Sequence, residues 1–460
     1  MAPRFAIVGH PNKGKSSIVA TLAEDETVAI APQPGTTTRS TSYPMRLDGE
    51  VLYELIDTPG FQRAREVLEW LVAHDEGADA RADTVRRFLK THADNPRFHD
   101  ECELLGPVMD GAGILYVVDG SRPYGREYEA EMEILRRTGQ PRMALINLIG
   151  DGDHVDEWQA ALGQYFSIVR IFDALRADFA KRIELLRAFA AIEESGARQL
   201  NIAADALIRE RERRRQRAAR VIADLLVDVL TATVRLPLPD REAQAGVEER
   251  ARAKLKETIR RHEQAARKAV QQIYRHADTP VEDKAETPLT EDIFSKRSFR
   301  IFGLSQQQLA VTGAASGAAA GGLIDVAVGG ASLLLGAGIG AAIGAAGAIS
   351  GAKRLAQVEV LGQPLGGHEL VVGPITAPNV PWVLLARALL HVKLVAERNH
   401  ARRDQLVLEA ETNEGAGREI SAARRAPIEA LFRGIRKQRG DDADVRGKLA
   451  AEIGALIDTP

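Results

Sequence analysis

Short apolar runs alternate with amphipathic stretches over the first third of the chain. The run at residues 5–8 has the length of a buried strand, and the apolar positions at 18–22 have helical spacing. Polar and apolar residues alternate on either side of an Asp-Gly pair over 40–56, which predicts a β-hairpin. Strands that alternate with helices are typical of an α/β domain. Later strands are predicted at 113–118, 143–148 and 168–172, with a helix at 128–137.

The segment between the first strand and the first helix reads GHPNKGKSS at residues 9–17. It fits the pattern Gly, four variable residues, Gly-Lys-Ser. A glycine-rich turn at this place directs backbone N–H groups and the positive end of a helix at one point, and so binds phosphate. Lys15 would contact the β- and γ-phosphates and Ser16 would hold Mg²⁺. A chance match is the competing explanation, which the flanking strand and helix oppose. The predicted nucleotide-binding residues of this phosphate loop are Gly9, His10, Pro11, Asn12, Lys13, Gly14, Lys15, Ser16 and Ser17.

Two further motifs follow the phosphate loop. The threonine loop, PGTTTR at residues 34–39, is polar and turn-prone, and it can bring a hydroxyl to Mg²⁺ and the γ-phosphate and later release it. The DTPG loop, residues 57–60, ends the second strand of the predicted hairpin. Its Asp57 can bind Mg²⁺ through water, and the Gly60 N–H can sense the γ-phosphate. Each motif alone is weak, but the order of the three is specific.

The order of these motifs resembles that of the translation-factor-related GTPases, and within them the Era- and TrmE-like group. The resemblance implies an α/β Ras-like P-loop GTPase domain with a doubly wound, mostly parallel sheet. Such a domain binds GTP or GDP with Mg²⁺ and hydrolyses GTP. The extra threonine leaves Thr37 and Thr38 as candidates for the metal ligand, and counting from Gly35 favours Thr37. The resemblance assigns catalytic roles to Asn12, Lys15, Thr37 and Gly60, and metal-binding roles to Ser16, Thr37 and Asp57.

The resemblance also implies how hydrolysis is supported. Asn12 stands where TrmE-like members carry an asparagine that helps to bind K⁺, an ion that acts there like an arginine finger. Phe61 follows Gly60, where Ras-type enzymes have a glutamine that orients water, and Gln62 comes one position too late. Slow intrinsic hydrolysis is therefore expected. K⁺ as a second cofactor, a nucleotide-dependent homodimer and an activating partner are the hypotheses for its acceleration.

The base-recognition motif departs from the family pattern. The family sequence Asn-Lys-x-Asp is expected after the strand at 143–148, and Asn147 matches its first position. A leucine replaces the lysine and Gly150 replaces the aspartate that selects guanine. Asp151 or Asp153 could substitute, or base selectivity could be relaxed. The next strand ends in Asp173-Ala174-Leu175, and the N–H of Ala174 can still reach the base, so Asn147, Asp151, Asp173 and Ala174 complete the predicted nucleotide-binding residues.

Changes in pattern predict the division of the chain. The nucleotide domain is expected to close near residue 175, with an insertion at 61–112 read as two helices. Helical stripes and a proline-rich, acidic segment then follow. The predicted parts are a GTPase domain at 1–175, a helical domain at 176–277, a linker at 278–295, a glycine- and alanine-rich hydrophobic hairpin at 296–356, and a mainly helical C-terminal region at 357–460. Within the last part, 358–372 is predicted as a small β-hairpin.

The stretch at 309–352 carries a single charged residue, Asp325. Its glycines recur every four residues in two arms, which lets helices pack closely. The second arm, 331–352, is long enough to span a bilayer. Basic residues at 296–300 and 353–354 fit a hairpin with both ends in the cytoplasm. A hairpin that contacts membrane lipid or a membrane protein and a buried hairpin of a water-soluble domain are the two interpretations.

The amino-acid composition limits which partners and which cellular compartments are expected. The 460 residues carry a net charge of −3 and only 5% aromatic residues, which makes nucleic acid an unexpected partner. A single cysteine, Cys102, excludes an internal disulfide and is typical of a reducing compartment. The first strand begins near the N-terminus, so no signal peptide is expected. The predicted location is the cytoplasm, either free or at the inner face of the cytoplasmic membrane.

The whole layout resembles a bacterial family of Era-like GTPases with a C-terminal domain of uncharacterised function. The matching pieces are the segments at 105–114, 116–120 and 301–305, the last just ahead of the glycine-rich stretch. The leading hypothesis is a membrane-associated GTPase switch. The alternatives are an Era-like ribosome-assembly factor that binds RNA, for which the chain shows no RNA-binding motif, and a nucleotide-gated adaptor with negligible hydrolysis.

Overall fold

The computed structural model describes residues 2–25, 27–28, 37–192, 196–238, 244–276, 289, 291–304, 359–360, 363–364, 368–398, 400, 420–438 and 443–457. The chain forms two compact units. The first comprises residues 1–211 with 397–403, and the second comprises 212–396 with 404–460. The first unit thus extends beyond residue 175, the predicted end of the nucleotide domain.

A six-stranded sheet lies at the centre of the first unit, in the order β2-β3-β1-β4-β5-β6. Strand β2 is antiparallel to β3, and the other neighbours are parallel. The mostly parallel α/β sheet that the sequence predicts is therefore confirmed. The strands are β1 (Arg4–Val8), β2 (Thr41–Leu47), β3 (Glu50–Asp57), β4 (Gly113–Asp119), β5 (Arg142–Asn147) and β6 (Ile168–Ile171).

Helices cover both faces of this sheet. Successive side chains of a strand point to opposite sides, so an apolar strand presents side chains for packing on both faces. In β1, Phe5 and Ile7 join one apolar cluster, whereas Ala6 and Val8 join the other. The first cluster receives α1, α7 and the start of α8, and its rings Phe5 and Phe189 lie 4.3 Å apart. This packing places α7 in the first unit. The helices outside the insertion are α1 (Lys15–Ala23), α5 (Tyr128–Arg137), α6 (Val155–Leu162), α7 (Phe179–Ala190) and α8 (Ala197–Thr231).

The insertion at 61–112 contains three α-helices rather than the two helices that were expected, and a 3₁₀ helix (Pro96–Phe98) precedes the third. The α-helices are α2 (Ala64–Ala73), α3 (Arg81–His92) and α4 (His99–Met109). The apolar stripes predicted in α2 and α3 are buried in the second cluster. The third helix, α4, contains Pro107 and adds Leu104, Leu105 and Val108 to the same cluster. The three helices thus pack on the sheet as part of the first unit.

The second unit is mainly helical within its described residues. Its apolar core includes Trp382 and Phe432, whose rings meet edge to face 5.4 Å apart. The buried Arg387 is held by Glu263 at 2.7 Å and by the hydroxyl of Ser298 at 3.0 Å. The helices after α8 are α9 (Gln244–Ile273), α10 (Lys296–Phe302), α11 (Val380–Glu397), α12 (Ala422–Gln438) and α13 (Ala443–Ile457).

The strands of the second unit correct one prediction. Only β8 (Glu359–Val360) and β9 (Gln363–Pro364) form the small hairpin that was expected over 358–372. Strand β10 (His368–Val372) pairs instead with β7 (Val234–Leu238), a partner distant in sequence. Pro237 lies within β7, in the break between helices α8 and α9. Proline is tolerated there because a strand of a two-stranded sheet has a free edge.

Among the described residues, no helix combines the length and the apolar character needed to cross a bilayer. The predicted hydrophobic stretch at 309–352 lies outside the described residues, as does most of the predicted linker at 278–295.

Candidate nucleotide-binding site

The phosphate loop joins the end of β1 to the start of α1, as the sequence predicts. Gly14 precedes α1 with a φ of 79°, a left-handed conformation that glycine adopts without strain. Gly9 has a φ of 142°, and a Cβ added to it would lie 2.4 Å from the carbonyl oxygen of Val117 in β4. The loop is therefore held against the sheet by backbone packing that only glycine permits. Ser17 lies in the first turn of α1.

Lys15 is buried at the start of α1 and bends back over the loop. Its Nζ donates hydrogen bonds to the carbonyl oxygens of His10, at 3.0 Å, and Gly9, at 3.3 Å. Burial lowers the pKa of Lys15 to about 8, and the nearby carboxylate of Asp57 opposes that change. The ammonium group is thus fixed at the mouth of the loop by weak acceptors, which the oxygens of a phosphate can replace.

Ser16, Thr37 and Asp57 come together, although three separate segments supply them. The Ser16 hydroxyl donates to Oδ2 of Asp57 at 2.7 Å, and the Thr37 hydroxyl donates to the same oxygen at 3.2 Å. Burial raises the pKa of Asp57, whereas the bonds from Ser16 and Thr37 lower it. The residues of the threonine loop before Thr37 lie outside the described residues.

This group of oxygens fits Mg²⁺. The second carboxylate oxygen of Asp57, Oδ1, is buried and has no hydrogen-bond partner among the described residues. A buried, unpaired carboxylate oxygen is costly unless a cation or a donor satisfies it. Two hydroxyls and a carboxylate are hard oxygen ligands, the kind that Mg²⁺ prefers. The residues present are therefore those that the metal requires.

The DTPG loop packs directly on the phosphate loop. A Cβ added to Gly60 would lie 2.5 Å from the backbone nitrogen of Pro11. The N–H of Phe61 donates to the carbonyl oxygen of Gly9 at 3.3 Å. The Phe61 side chain is buried in the apolar cluster that includes Ile56 and Val67. The side chain at position 61 is therefore part of the apolar core and provides no polar group that could orient water.

Asn147 connects the phosphate loop with the segment after β6. Its Nδ2 donates to the carbonyl oxygen of Lys13 at 3.1 Å, and its Oδ1 accepts from the N–H of Ala174 at 3.0 Å. A Cβ on Gly14 would meet this amide at 2.3 Å. Asn147 is buried, and the structure gives it a bracing role. The N–H of Ala174, predicted to face the base, is engaged by Asn147.

The candidate acidic residues of the base side have separate surroundings. Asp151 is exposed, between Gly150 and Gly152. Asp153 accepts the N–H of Val155 at 3.4 Å, at the start of α6. Asp173 accepts the N–H groups of Leu175 and Arg176, at 2.9 and 3.1 Å. Two of the three carboxylates therefore stabilise local turns.

Two of the site's contacts were not foreseen from the sequence. His10 Nδ1 lies 2.8 Å from Oε1 of Glu131, whose other oxygen accepts from the hydroxyl of Tyr116 at 2.9 Å. Lys13 is buried near Asp119, with 3.8 Å between the charged atoms. Glu131 lies in the predicted helix 128–137, on the same stripe as Tyr128, Met132 and Leu135. An acidic residue on an apolar stripe is the signal that could have identified it.

Two family models match the chain. The model described as "50S ribosome-binding GTPase" matches residues 4–148, which include the phosphate loop, the DTPG loop and Asn147. The model described as "Domain of unknown function (DUF3482)" matches residues 159–452.

The similar curated proteins include several described as GTPase Der. That of Herminiimonas arsenicoxydans is 48% identical over 66 residues, which are 14% of this chain and 14% of that protein. That of Methylococcus capsulatus is 36% identical over 132 residues, 27% and 28% of the two chains. That of Acidithiobacillus ferrooxidans is 29% identical over 189 residues, 38% and 41% of the two chains. The chain spans less than half the length of each of these relatives.

Solved structures are also similar to this chain. Era of Aquifex aeolicus, bound to GDP and aluminium fluoride, aligns with a TM-score of 0.29 and 19% identity over 42% of this chain and 56% of its own. NFeoB of S. thermophilus, bound to the same ligands, aligns with a TM-score of 0.22 and 16% identity over 60% of this chain and 100% of its own.

Proposed function

The chain belongs to the DUF3482 family, and from this premise we propose that it is a GTP-binding and GTP-hydrolysing molecular switch. Its N-terminal unit has a Ras-like GTPase fold, as predicted, and is related to Der-type and Era-type GTPases. One observation carries the proposal. Ser16, Thr37 and Asp57 converge beside Lys15, and the buried Oδ1 of Asp57 lacks a partner among the described residues.

The proposed chemistry follows from these positions. The phosphate-loop N–H groups and Lys15 would hold the β- and γ-phosphates of GTP, and Ser16, Thr37 and Asp57 would hold Mg²⁺. Mg²⁺ held there would supply positive charge that neutralises the negative charge developing during phosphoryl transfer. The N–H of Gly60 would contact the γ-phosphate. Loss of that phosphate would free Thr37 and Gly60, which is the switching step of such proteins.

Guanine is the proposed base because the matching relatives and the N-terminal family model are described as GTPases. Asn147 supports this end of the site by holding the phosphate loop and the backbone of Ala174. Asp151 is the proposed acceptor for the guanine edge, since Asp153 and Asp173 are engaged by their own turns. Competition between GTP and ATP for the full chain would test this assignment, and equal affinities would contradict it.

We propose K⁺ as the activator of hydrolysis, in keeping with a TrmE-like site. Phe61 is buried and has no polar group that could orient water, so hydrolysis needs support from another group. Asn12 is exposed at the mouth of the loop with a φ of 60°. A nucleotide-dependent homodimer would close such an exposed ion site.

Single-turnover hydrolysis in KCl and in NaCl tests the K⁺ proposal. The matched variant is Asn12→Gly, which can adopt the same left-handed backbone and removes the whole side chain with its amide. Faster cleavage in KCl, lost in Asn12→Gly, is expected. Equal rates in the two salts would contradict the proposal. Tight GTP binding without cleavage in either salt would contradict the hydrolase and support the nucleotide-gated adaptor.

We propose that residues 309–352 attach the switch to the inner face of the cytoplasmic membrane, by contact with lipid or with a membrane protein. The support is the sequence: one charge in 44 residues, an arm long enough for a bilayer, and basic flanks. Flotation of the full chain with liposomes should depend on nucleotide and should lose that dependence in Lys15→Ala. Absence of flotation with GTP analogue, GDP and no nucleotide would contradict direct lipid contact.

A further inference from the structure

Helix α4 of the insertion contacts the segments that follow both nucleotide-sensing loops. Oε1 of Glu101 accepts the N–H groups of Gln62 and Arg63, at 2.9 and 2.6 Å, just after the DTPG loop. Oε2 of Glu103 accepts the N–H of Ser40 at 2.8 Å, just after the threonine loop. One short helix thus holds the backbone of both segments.

Two more contacts strengthen the attachment on the threonine-loop side. The Ser40 hydroxyl donates to the carbonyl oxygen of Glu103 at 2.5 Å. Nε2 of His99 lies 3.2 Å from the carbonyl oxygen of Thr38. Thr38 directly follows Thr37 in the chain, and Ser40 lies two residues further on. The Thr37 hydroxyl contacts Asp57. Movement of Thr37 away from Asp57 would therefore act directly on the contacts with α4.

The spacing of the two glutamates explains how one helix reaches two loops. Residues two positions apart in an α-helix point about 200° apart around its axis. Glu101 is 1% exposed and faces the DTPG side, whereas Glu103 is half-buried on the other side. A helix-capping role accounts for only part of this arrangement. Glu101 accepts the N–H groups of the two residues that precede α2, but the contacts of Glu103 and His99 involve residues that precede a strand.

We propose that α4 couples the threonine loop to the DTPG loop, with Glu101 and Glu103 as the positioning residues. This inference rests on the proposed GTPase function. A rigid helix bonded to both segments makes their closed arrangements mutually dependent. Thr37 on the metal side and the Gly60 N–H on the γ-phosphate side would then be brought into place together. The insertion supplies within the chain a support that acts on both loops at once.

Single-turnover GTP cleavage and nucleotide affinity, measured on the full chain, test this coupling. Glu103→Ala and Glu101→Ala should each lower the cleavage rate at saturating GTP by about tenfold, because each removes the side-chain hydrogen bonds from α4 to one of the two segments. Affinity for GDP should stay within about twofold, because the phosphate loop is untouched. The double variant should cleave GTP at about the rate of the slower single variant, because both changes break the same coupling.

Conservative variants separate positioning from folding. Glu103→Gln keeps an oxygen acceptor for the Ser40 N–H and should restore most of the rate. Glu76→Ala is the matched control, since Glu76 lies in the insertion and pairs with Arg87 on the surface. Wild-type cleavage rates in both alanine variants would overturn the inference while leaving the GTPase function intact. Independent, multiplicative losses in the double variant would also overturn it.

Failure of the GTPase proposal gives a different result. If the wild type binds nucleotide but cleaves no GTP, the coupling is tested by affinity for a non-hydrolysable GTP analogue relative to GDP. Glu103→Ala should lower that ratio by about tenfold, because only the triphosphate engages both loops. An unchanged ratio would overturn the inference. Absence of any nucleotide binding by the wild type would overturn the proposed function and the coupling together.

Discussion

The phosphate side and the base side of the site are built in different ways. On the phosphate side, Gly9 and Gly60 let backbones pack within distances that exclude any Cβ. The side chains of Ser16, Thr37 and Asp57 then meet with short hydrogen bonds. On the base side, Gly150 replaces the acidic residue that usually reads guanine, and the nearby carboxylates of Asp153 and Asp173 stabilise turns. One side follows the family motif closely and the other departs from it.

This contrast shows which part of nucleotide recognition a short motif can specify. Phosphate binding depends on backbone N–H groups and one lysine, so the sequence of a single loop fixes it. Base recognition depends on a side chain that a loop carries. A shift of the acidic residue by one position along this loop changes the direction in which its side chain points. Asn147 is the exception on the base side, because it braces the phosphate loop. The contrast predicts that substitutions on the phosphate side change nucleotide affinity strongly. Substitutions on the base side should have small effects that are selective for one base.

The largest effect is expected for Lys15→Ala. Removal of the buried ammonium should lower the affinity for GTP and GDP by about 100-fold or more, equivalent to about 3 kcal/mol, because charge-assisted bonds to phosphate are lost. Equilibrium binding of a fluorescent nucleotide measures this. Lys90→Ala removes an exposed lysine of α3 and is the matched control. Similar nucleotide affinities for Lys15→Ala and the control would contradict the assignment of Lys15 and its loop to phosphate binding.

Asp57→Asn should abolish the effect of Mg²⁺ on GTP binding. The wild type should bind GTP about tenfold or more tightly with Mg²⁺ than with EDTA, and the variant should bind equally in both, because the anionic ligand is gone. The unliganded variant should keep its thermal stability, since a buried charge has been removed. Asp110→Asn, at an exposed carboxylate, is the control. A retained Mg²⁺ effect would mean that Asp57 is not a metal ligand.

Asn147→Ala tests the brace between the two sides. Loss of both amide bonds leaves the carbonyl of Lys13 and the N–H of Ala174 without this partner, and should lower the free energy of unfolding by about 2 kcal/mol. Nucleotide affinity should fall by about tenfold, less than in Lys15→Ala. Urea unfolding and nucleotide titration measure the two effects. Asn201→Ala, on the surface of α8, provides the comparison. An unchanged stability would show that Asn147 does not brace the loop.

The smallest and most selective effect is expected at Gly150. Gly150→Asp restores a carboxylate at the family position and should raise the preference for GTP over ATP by about tenfold, through bonds to the guanine edge. An added Cβ would lie 3.2 Å from the hydroxyl of Ser121, which can rotate. Gly150→Ala carries the same Cβ without the carboxylate and should leave the preference unchanged. Equal preferences in the two variants would mean that the base binds elsewhere.

Much of the first unit could be predicted from the sequence because its signals are local. Strands β1, β4, β5 and β6 lie within two residues of their predicted bounds, since each is a short apolar run. Local pattern could not reveal the pairing of β7 with β10, whose partners are more than 100 residues apart. The contacts of Glu101 and Glu103 were hidden for a similar reason. A charged residue in a helix looks exposed until the loops packed against it are known.

Single-turnover cleavage of γ-labelled GTP by the purified full chain, with and without Mg²⁺, tests the central claim most directly. Cleavage that requires Mg²⁺, proceeds slowly without an activator and disappears in Lys15→Ala and Asp57→Asn is the predicted result. Cleavage that persists in Lys15→Ala would show that the phosphate loop is not the site of the reaction. Failure of the wild type to bind GTP in the presence of Mg²⁺ would contradict the account.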